Sequence, residues 1–153
     1  MSLRPLMIAF AVALVWVFAG VGGGARADQP MIFAVKGAAI NGYDPVAYFA
    51  QGAAVRGNPG HKVMWKGATW YFVSSRNRET FEANPRAYAP KYGGYCAYAV
   101  SRGYTASTDP TAWRIEDGRL FLNHSLRVRE VWQSDMAANI KRANANWPAV
   151  LSK

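Results

Sequence analysis

One cysteine, two histidines and nine acidic residues are spread over 153 positions. A single cysteine cannot close an internal disulfide, so stability must come from packing. It also lies far from the apolar N-terminal run, which excludes a lipid-modified cysteine directly after that run. Complete catalytic signatures are lacking as well. There is no Gly-x-Ser-x-Gly elbow, Walker loop, dinucleotide fingerprint or Cys-x-x-Cys-His haem motif. The close carboxylates Glu79 with Glu82 and Glu116 with Asp117 fall on a helix surface and a turn, which explains them without glycosidase chemistry. Repeats, low-complexity tracts and inter-domain linkers are missing too.

The first 27 residues carry the three parts of a secretory signal peptide: Arg4, the apolar run Leu6 to Val21, and glycines leading to Ala25-Arg26-Ala27. Cleavage is expected after Ala27. The alternative is a retained anchor, but the run is shorter than the ~20 apolar residues of a spanning helix. Residues 28–153 then suit one domain of extracytoplasmic, periplasmic location. Apolar residues make up 51% and aromatics 14% of the chain, enough for a core built on Trp, Tyr and Phe. The net charge is +9, of which Arg4 and Arg26 leave with the leader. Lys and Arg are scattered and no nucleic-acid motif occurs, so nucleic acid is not the expected partner. An anionic membrane surface, an acidic envelope partner or plain solvation accounts for the charge.

Asp28 to Ala39 reads as an extended lead-in, and the domain proper as residues 42–150. Val46 to Phe49 reads as a short strand or turn, and Gln51 to Gly60 as a loop. Lys62-Val63-Met64-Trp65 and Thr69 to Val73 form a hairpin around Lys66-Gly67-Ala68. Ser74 or Ser75 caps a helix that ends before Asn84-Pro85. A short helix between Pro90 and Val100 holds Cys96. Trp113-Arg114-Ile115 and Leu120-Phe121-Leu122 form a second hairpin around Glu116-Asp117-Gly118. Ser125 caps a final helix of about 20 residues, whose stripe of Val128, Trp132, Met136, Ile140 and Ala143 docks on the sheet, with Val131 beside it. The expected class is α+β: a small antiparallel sheet of two hairpins, packed by about three helices, the C-terminal one long.

From Gly42 to Tyr88 the chain resembles the YHS domain, through Asp44-Pro45-Val46, Trp65-Lys66-Gly67, Trp70-Tyr71-Phe72-Val73-Ser74, Phe81 and Asn84-Pro85-Arg86-Ala87-Tyr88. Beyond it, Tyr92-Gly93-Gly94-Tyr95-Cys96-Ala97, Trp113-Arg114-Ile115 and Asp117 to Asn123 are similar to an exported branch of YHS domain-containing proteins. The resemblance implies metal handling through a cysteine after Asp-Pro-Val and two in a Phe-Cys-Ser-x-x-Cys stretch, donors suited to Cu(I). Those positions are Ala47, Val73 and Asn77 here, so the implied site cannot exist in this chain.

Cys96 is the remaining soft donor. With His124, and Met64 or His61 as further candidates, it can make a copper site. It can equally be an activated redox thiol, or a small buried hydrophobe. His61 and His124 read otherwise as surface residues, Met64 and Met136 as core, and the aromatics of residues 65–72 as sheet packing before a ligand-stacking platform. The expected function is an exported YHS-like binding module, more a binder than an enzyme, for a small ligand, a soft metal or an envelope protein. The alternatives are a thiol-dependent redox protein and a purely structural one.

Overall fold

The computed structural model describes residues 28–152; the expected signal peptide lies outside them. Three hairpins share one device. Their two-residue turns, Lys36-Gly37, Lys66-Gly67 and Asp117-Gly118, have positive φ at both positions. That turn matches the right-handed twist of the flanking strands. A side chain in the left-handed region costs about 1 kcal/mol, which strand pairing must offset.

The first hairpin joins β1 (Ala34–Val35) to β2 (Ala38–Ala39). The sequence reading has only an extended lead-in here. Two-residue alanine-rich strands around a Lys-Gly turn have neither the alternation nor the β-branched content that marks a strand. β2 then runs parallel to β4, Ala38 opposite Thr69. With β3 (Asn58–Trp65) antiparallel to β4 (Ala68–Phe72), this makes a four-stranded sheet in the order β1-β2-β4-β3. β5 (Asp109–Glu116) and β6 (Arg119–Asn123) form a separate two-stranded sheet. The α+β expectation holds, with the two hairpins in different sheets.

Val46 to Phe49 is helical rather than extended. It enters α1 (Ala47–Ala50) because Asp44 Oδ1 accepts the N–H groups of Val46 and Ala47. The Ser74 cap is as expected: its hydroxyl accepts the Asn77 N–H at the start of α2 (Ser75–Ala83), and α3 (Pro85–Tyr88) follows. The expected helix around Cys96 is a 3-10 turn over Lys91–Gly94 and then α4 (Ala97–Ser101), with Cys96 at the junction.

The expected single C-terminal helix is two. α5 (Leu126–Ser134), capped by Ser125, stops at Asp135 (φ −142°, ψ 50°), and α6 (Met136–Asn146) begins beyond it. Asn139 stabilises the break. Its buried amide donates to the Trp132 carbonyl and accepts from Ser101 Oγ and Arg142 Nη2. Trp132 and Ala143 of the stripe are buried and Val128, Met136 and Ile140 half-buried, while Val131 is exposed.

β6 is buried on both faces. Leu120 and Leu122 pack with Ile40, Trp70, Phe72 and Phe81 in one core. Phe121, pointing the other way, packs with Tyr92, Val100, Trp132 and Ala143 in a second. Opposite faces follow from the two-residue period of a strand. The lead-in closes the seam between the cores: the Phe33 N–H donates to the Gly93 carbonyl, and Tyr95 donates its hydroxyl proton to the Pro30 carbonyl. Gly93 sits at φ 61°, and a Cβ there would run into the Met31 carbonyl oxygen. Gly93→Ala should therefore cost about 2 kcal/mol or more in urea unfolding, through backbone strain and displacement of the lead-in. Gly67→Ala, at a similar φ with open space around it, should cost less.

Candidate functional site

The three positions at which the resemblance would place sulfur surround a single buried carboxylate. Asp44 Oδ1 accepts from the Ala47 N–H at 3.2 Å, and Oδ2 from the Val73 N–H and the Asn77 side-chain amide, each at 2.8 Å. With the Val46 N–H at 2.8 Å, four donors converge on a residue with no solvent exposure. Ala47 and Val73 contribute only backbone here, so the residues present do not fit a soft metal. The arrangement is a fastener that pins the start of α1 to the β4–α2 junction. Asp44→Ala leaves four polar N–H groups without their acceptor, two of them (Val46 and Ala47) at the entry to α1. It should cost about 3 kcal/mol or more in chemical denaturation, against about 1 kcal/mol for Asn77→Ala, which removes one donor.

Cys96 is 1% exposed. Its thiol donates to Asn123 Oδ1 at 3.7 Å, and the same oxygen accepts the Tyr98 N–H at 3.2 Å. Burial pushes the thiol pKa up, while the backbone N–H groups of Ala99, His124 and Tyr98 favour the thiolate and pull it partly back. His124 thus approaches the sulfur through its main chain. Its exposed ring is held at Nδ1 by the hydroxyl and carbonyl of Ser107, at 3.2 Å each. No imidazole nitrogen is a hydrogen-bond partner of the sulfur. His61 lies half-buried on β3 rather than exposed, and Met64, expected in the core, is 67% exposed at the sheet edge. The alternation of β3 turns Met64 away from the core that Val63 and Trp65 pack against. Among the described residues no group of three or more His, Cys, Asp or Glu side chains could hold a metal ion.

A different region gathers the chemistry. A cleft of about 370 Å³ opens where the two cores meet, lined by Trp65, Tyr92 and Trp147 together with Lys66, Arg86, Lys91 and Arg119. Its rings are held by other rings. Trp65 meets Trp70 and Phe81 edge-on, with centroids at 5.8 and 5.7 Å, and Trp147 lies against Tyr92 and Tyr95 at 6.0 and 6.3 Å. Two of the cations lie over lining rings: Lys66 Nζ is 4.8 Å from the Trp65 centroid and Lys91 Nζ 5.4 Å from that of Tyr92. A second depression, about 610 Å³, lies along Val35, Tyr43, Arg56 and Tyr71. It is larger, but only Lys36 and Arg56 supply charge there, against four cations at the first cleft. The first cleft is the better candidate because fixed aromatic walls and several convergent polar groups characterise small-molecule sites.

Sequence reasoning missed this cleft. Its residues come from the lead-in, the β3–β4 turn, the α3-to-3-10 segment, the start of β6 and the chain after α6. Scattered Lys and Arg, and the aromatics of residues 65–72 in their stacking-platform reading, were the available signals. Comparison with family models, curated proteins and solved structures finds no match for this chain.

Native-state alkylation checks the placement of Cys96. In the folded protein at pH 8 its thiol should react with iodoacetamide at least ~100-fold more slowly than in urea, because both burial and the raised pKa withhold the thiolate. Comparable rates in the two states would place the sulfur at the surface.

Proposed function

We propose that this chain is an exported, periplasmic YHS-like module that binds a small ligand without transforming it, and that the ligand sits in the Trp65–Tyr92–Trp147 cleft rather than at the thiol. The observation that carries this reading is the cleft itself: three aromatic rings fixed by their neighbours at the seam of two cores. Its volume lies in the range of small-molecule pockets. The N-terminal apolar run and the small-residue pattern at Ala25-Arg26-Ala27 support export. The motif spacing from Gly42 to Asn123 supports the YHS likeness. Copper handling draws less support, since the family's three sulfur positions hold Ala47, Val73 and Asn77.

The competing reading gives Cys96 a redox or soft-metal role, favoured by its being the one thiol of the chain and by nearby backbone N–H groups that pull its pKa partly back. Two titrations followed by NMR separate the two. Benzyl alcohol should shift the indole signals of Trp65 and Trp147 saturably, and Trp147→Ala should weaken that binding about five- to tenfold. Cu(I) added to the reduced protein should bind no more tightly than to Cys96→Ser. Stoichiometric copper uptake that the serine variant loses, with no indole shift by benzyl alcohol, would transfer the function to the thiol.

A further inference from the structure

The four cations of the cleft have no counter-charge. None of Lys66, Arg86, Lys91 and Arg119 takes part in an ion pair among the described residues, and no carboxylate lines the cleft. The acid closest in register, Glu116 opposite Arg119 across the β5–β6 hairpin, is turned to Arg114, whose guanidinium it accepts at 3.1 Å. Arg119 Nε is buried without a hydrogen-bond partner. Two other arginines share that feature, but each has a substitute: Arg78 Nε lies 3.5 Å from Glu82, and Arg129 donates through Nη1 to the Trp113 carbonyl. Arg119 has neither an ion pair nor another side-chain hydrogen bond among the described residues. Only Nε is enclosed, and Arg119 as a whole is half-buried. An enclosed donor without an acceptor is costly, and a ligand oxygen would satisfy it.

We infer that the cleft is a receptor for a small organic oxyanion, a carboxylate or phosphate carried on a flat apolar body, with Arg119 and Lys91 holding the charge and Trp65, Tyr92 and Trp147 flanking the body. This rests on the reading of the cleft as the ligand site. Arginine offers the planar pair of donors that a carboxylate or phosphate accepts, and in a partly desolvated cleft such charge-assisted bonds are strong. Lys91 supports the placement. Removal from water lowers its pKa first, and the Arg119 charge lowers it further, so two like charges are crowded together where an anion would relieve both. The lining also argues for an organic ligand over a bare inorganic ion, because Trp65, Tyr92 and Trp147 share the cleft with the cations.

The test uses the full chain, reduced, with NMR following the Trp65 and Trp147 indole signals during addition of phenyl phosphate, benzoate, inorganic phosphate or benzyl alcohol. Phenyl phosphate or benzoate should bind about tenfold or more tightly than benzyl alcohol and than inorganic phosphate; which of the two wins names the anion. Arg119→Gln should remove most of that preference while leaving benzyl alcohol binding in place. Arg119→Lys should restore part of it, and Lys36→Gln, an exposed cation outside the cleft, should change nothing. Unchanged unfolding midpoints in urea confirm that the variants are folded. If the anionic probes bind no better than benzyl alcohol, the oxyanion assignment fails while the cleft reading stands. If no probe shifts the indoles up to roughly 10 mM, both fail. Binding to phosphatidylglycerol vesicles that Lys36→Gln and Arg119→Gln weaken equally, with no response to the soluble anions, would reassign the charge to a membrane surface and overturn the proposal.

Discussion

Burial of β6 on both faces is the constraint on which the remaining architecture depends. A strand in a two-stranded sheet ordinarily has one face on a core and the other near water. Here Leu120 and Leu122 belong to the core built on Trp70, Phe72 and Phe81, and Phe121 to the core built on Trp132 and Ala143. Each such side chain contributes roughly 1.5–3 kcal/mol by leaving water. The four ion pairs among the described residues are partly exposed and contribute about 0–1 kcal/mol each. Apolar packing therefore decides the fold, as the absence of a disulfide requires.

The same strand sets where chemistry can occur. Its first residue, Arg119, brings a guanidinium to the seam between the cores, and its last, Asn123, accepts from Cys96 and from the backbone of α4. The two ends differ in what they leave unsatisfied. At the Asn123 end the sulfur is enclosed and its acceptor is in place, although Asn123 Nδ2 lacks a partner. At the Arg119 end a cleft remains, walled by fixed rings and crowded with positive charge. Ligand capture is the better use of an open cleft with unpaired charge, and structural fastening the better use of a closed one.

Much of the architecture was legible in the residues because it rests on local rules. The β3–β4 and β5–β6 hairpins follow from strand-forming runs broken by Gly-containing turns, and the Ser74 and Ser125 caps from hydroxyls placed one residue before a helix. What escaped is what local rules do not encode. The C-terminal stripe predicts one helix because Val128, Trp132, Met136, Ile140 and Ala143 keep helical spacing straight through Asp135. The break is stabilised by Asn139 reaching back to the Trp132 carbonyl and across to Ser101 on α4. Met64 reads as core by type, yet strand alternation puts it outside.

The candidate site was less legible still, for a reason that extends beyond this chain. A sequence advertises chemistry through rare residues, and rarity drew attention to Cys96, His61 and His124. The structure seals the first, engages His124 through Ser107 and leaves His61 on a strand of the other sheet. Common residues, by contrast, acquire function by convergence. Lys66, Arg86, Lys91 and Arg119 span more than fifty positions and carry no motif between them. Only the packing of the lead-in, two hairpin turns, the α3-to-3-10 segment and the chain after α6 around one seam makes them a set. The place where the resemblance would put sulfur and the unpaired cationic cleft are separate regions: Asp44 occupies the first as a fastener, and the second draws on residues that the Gly42 to Tyr88 likeness only partly spans. The open, charged chemistry of this domain therefore gathers at the junction of its two cores, not at the positions that carry the resemblance.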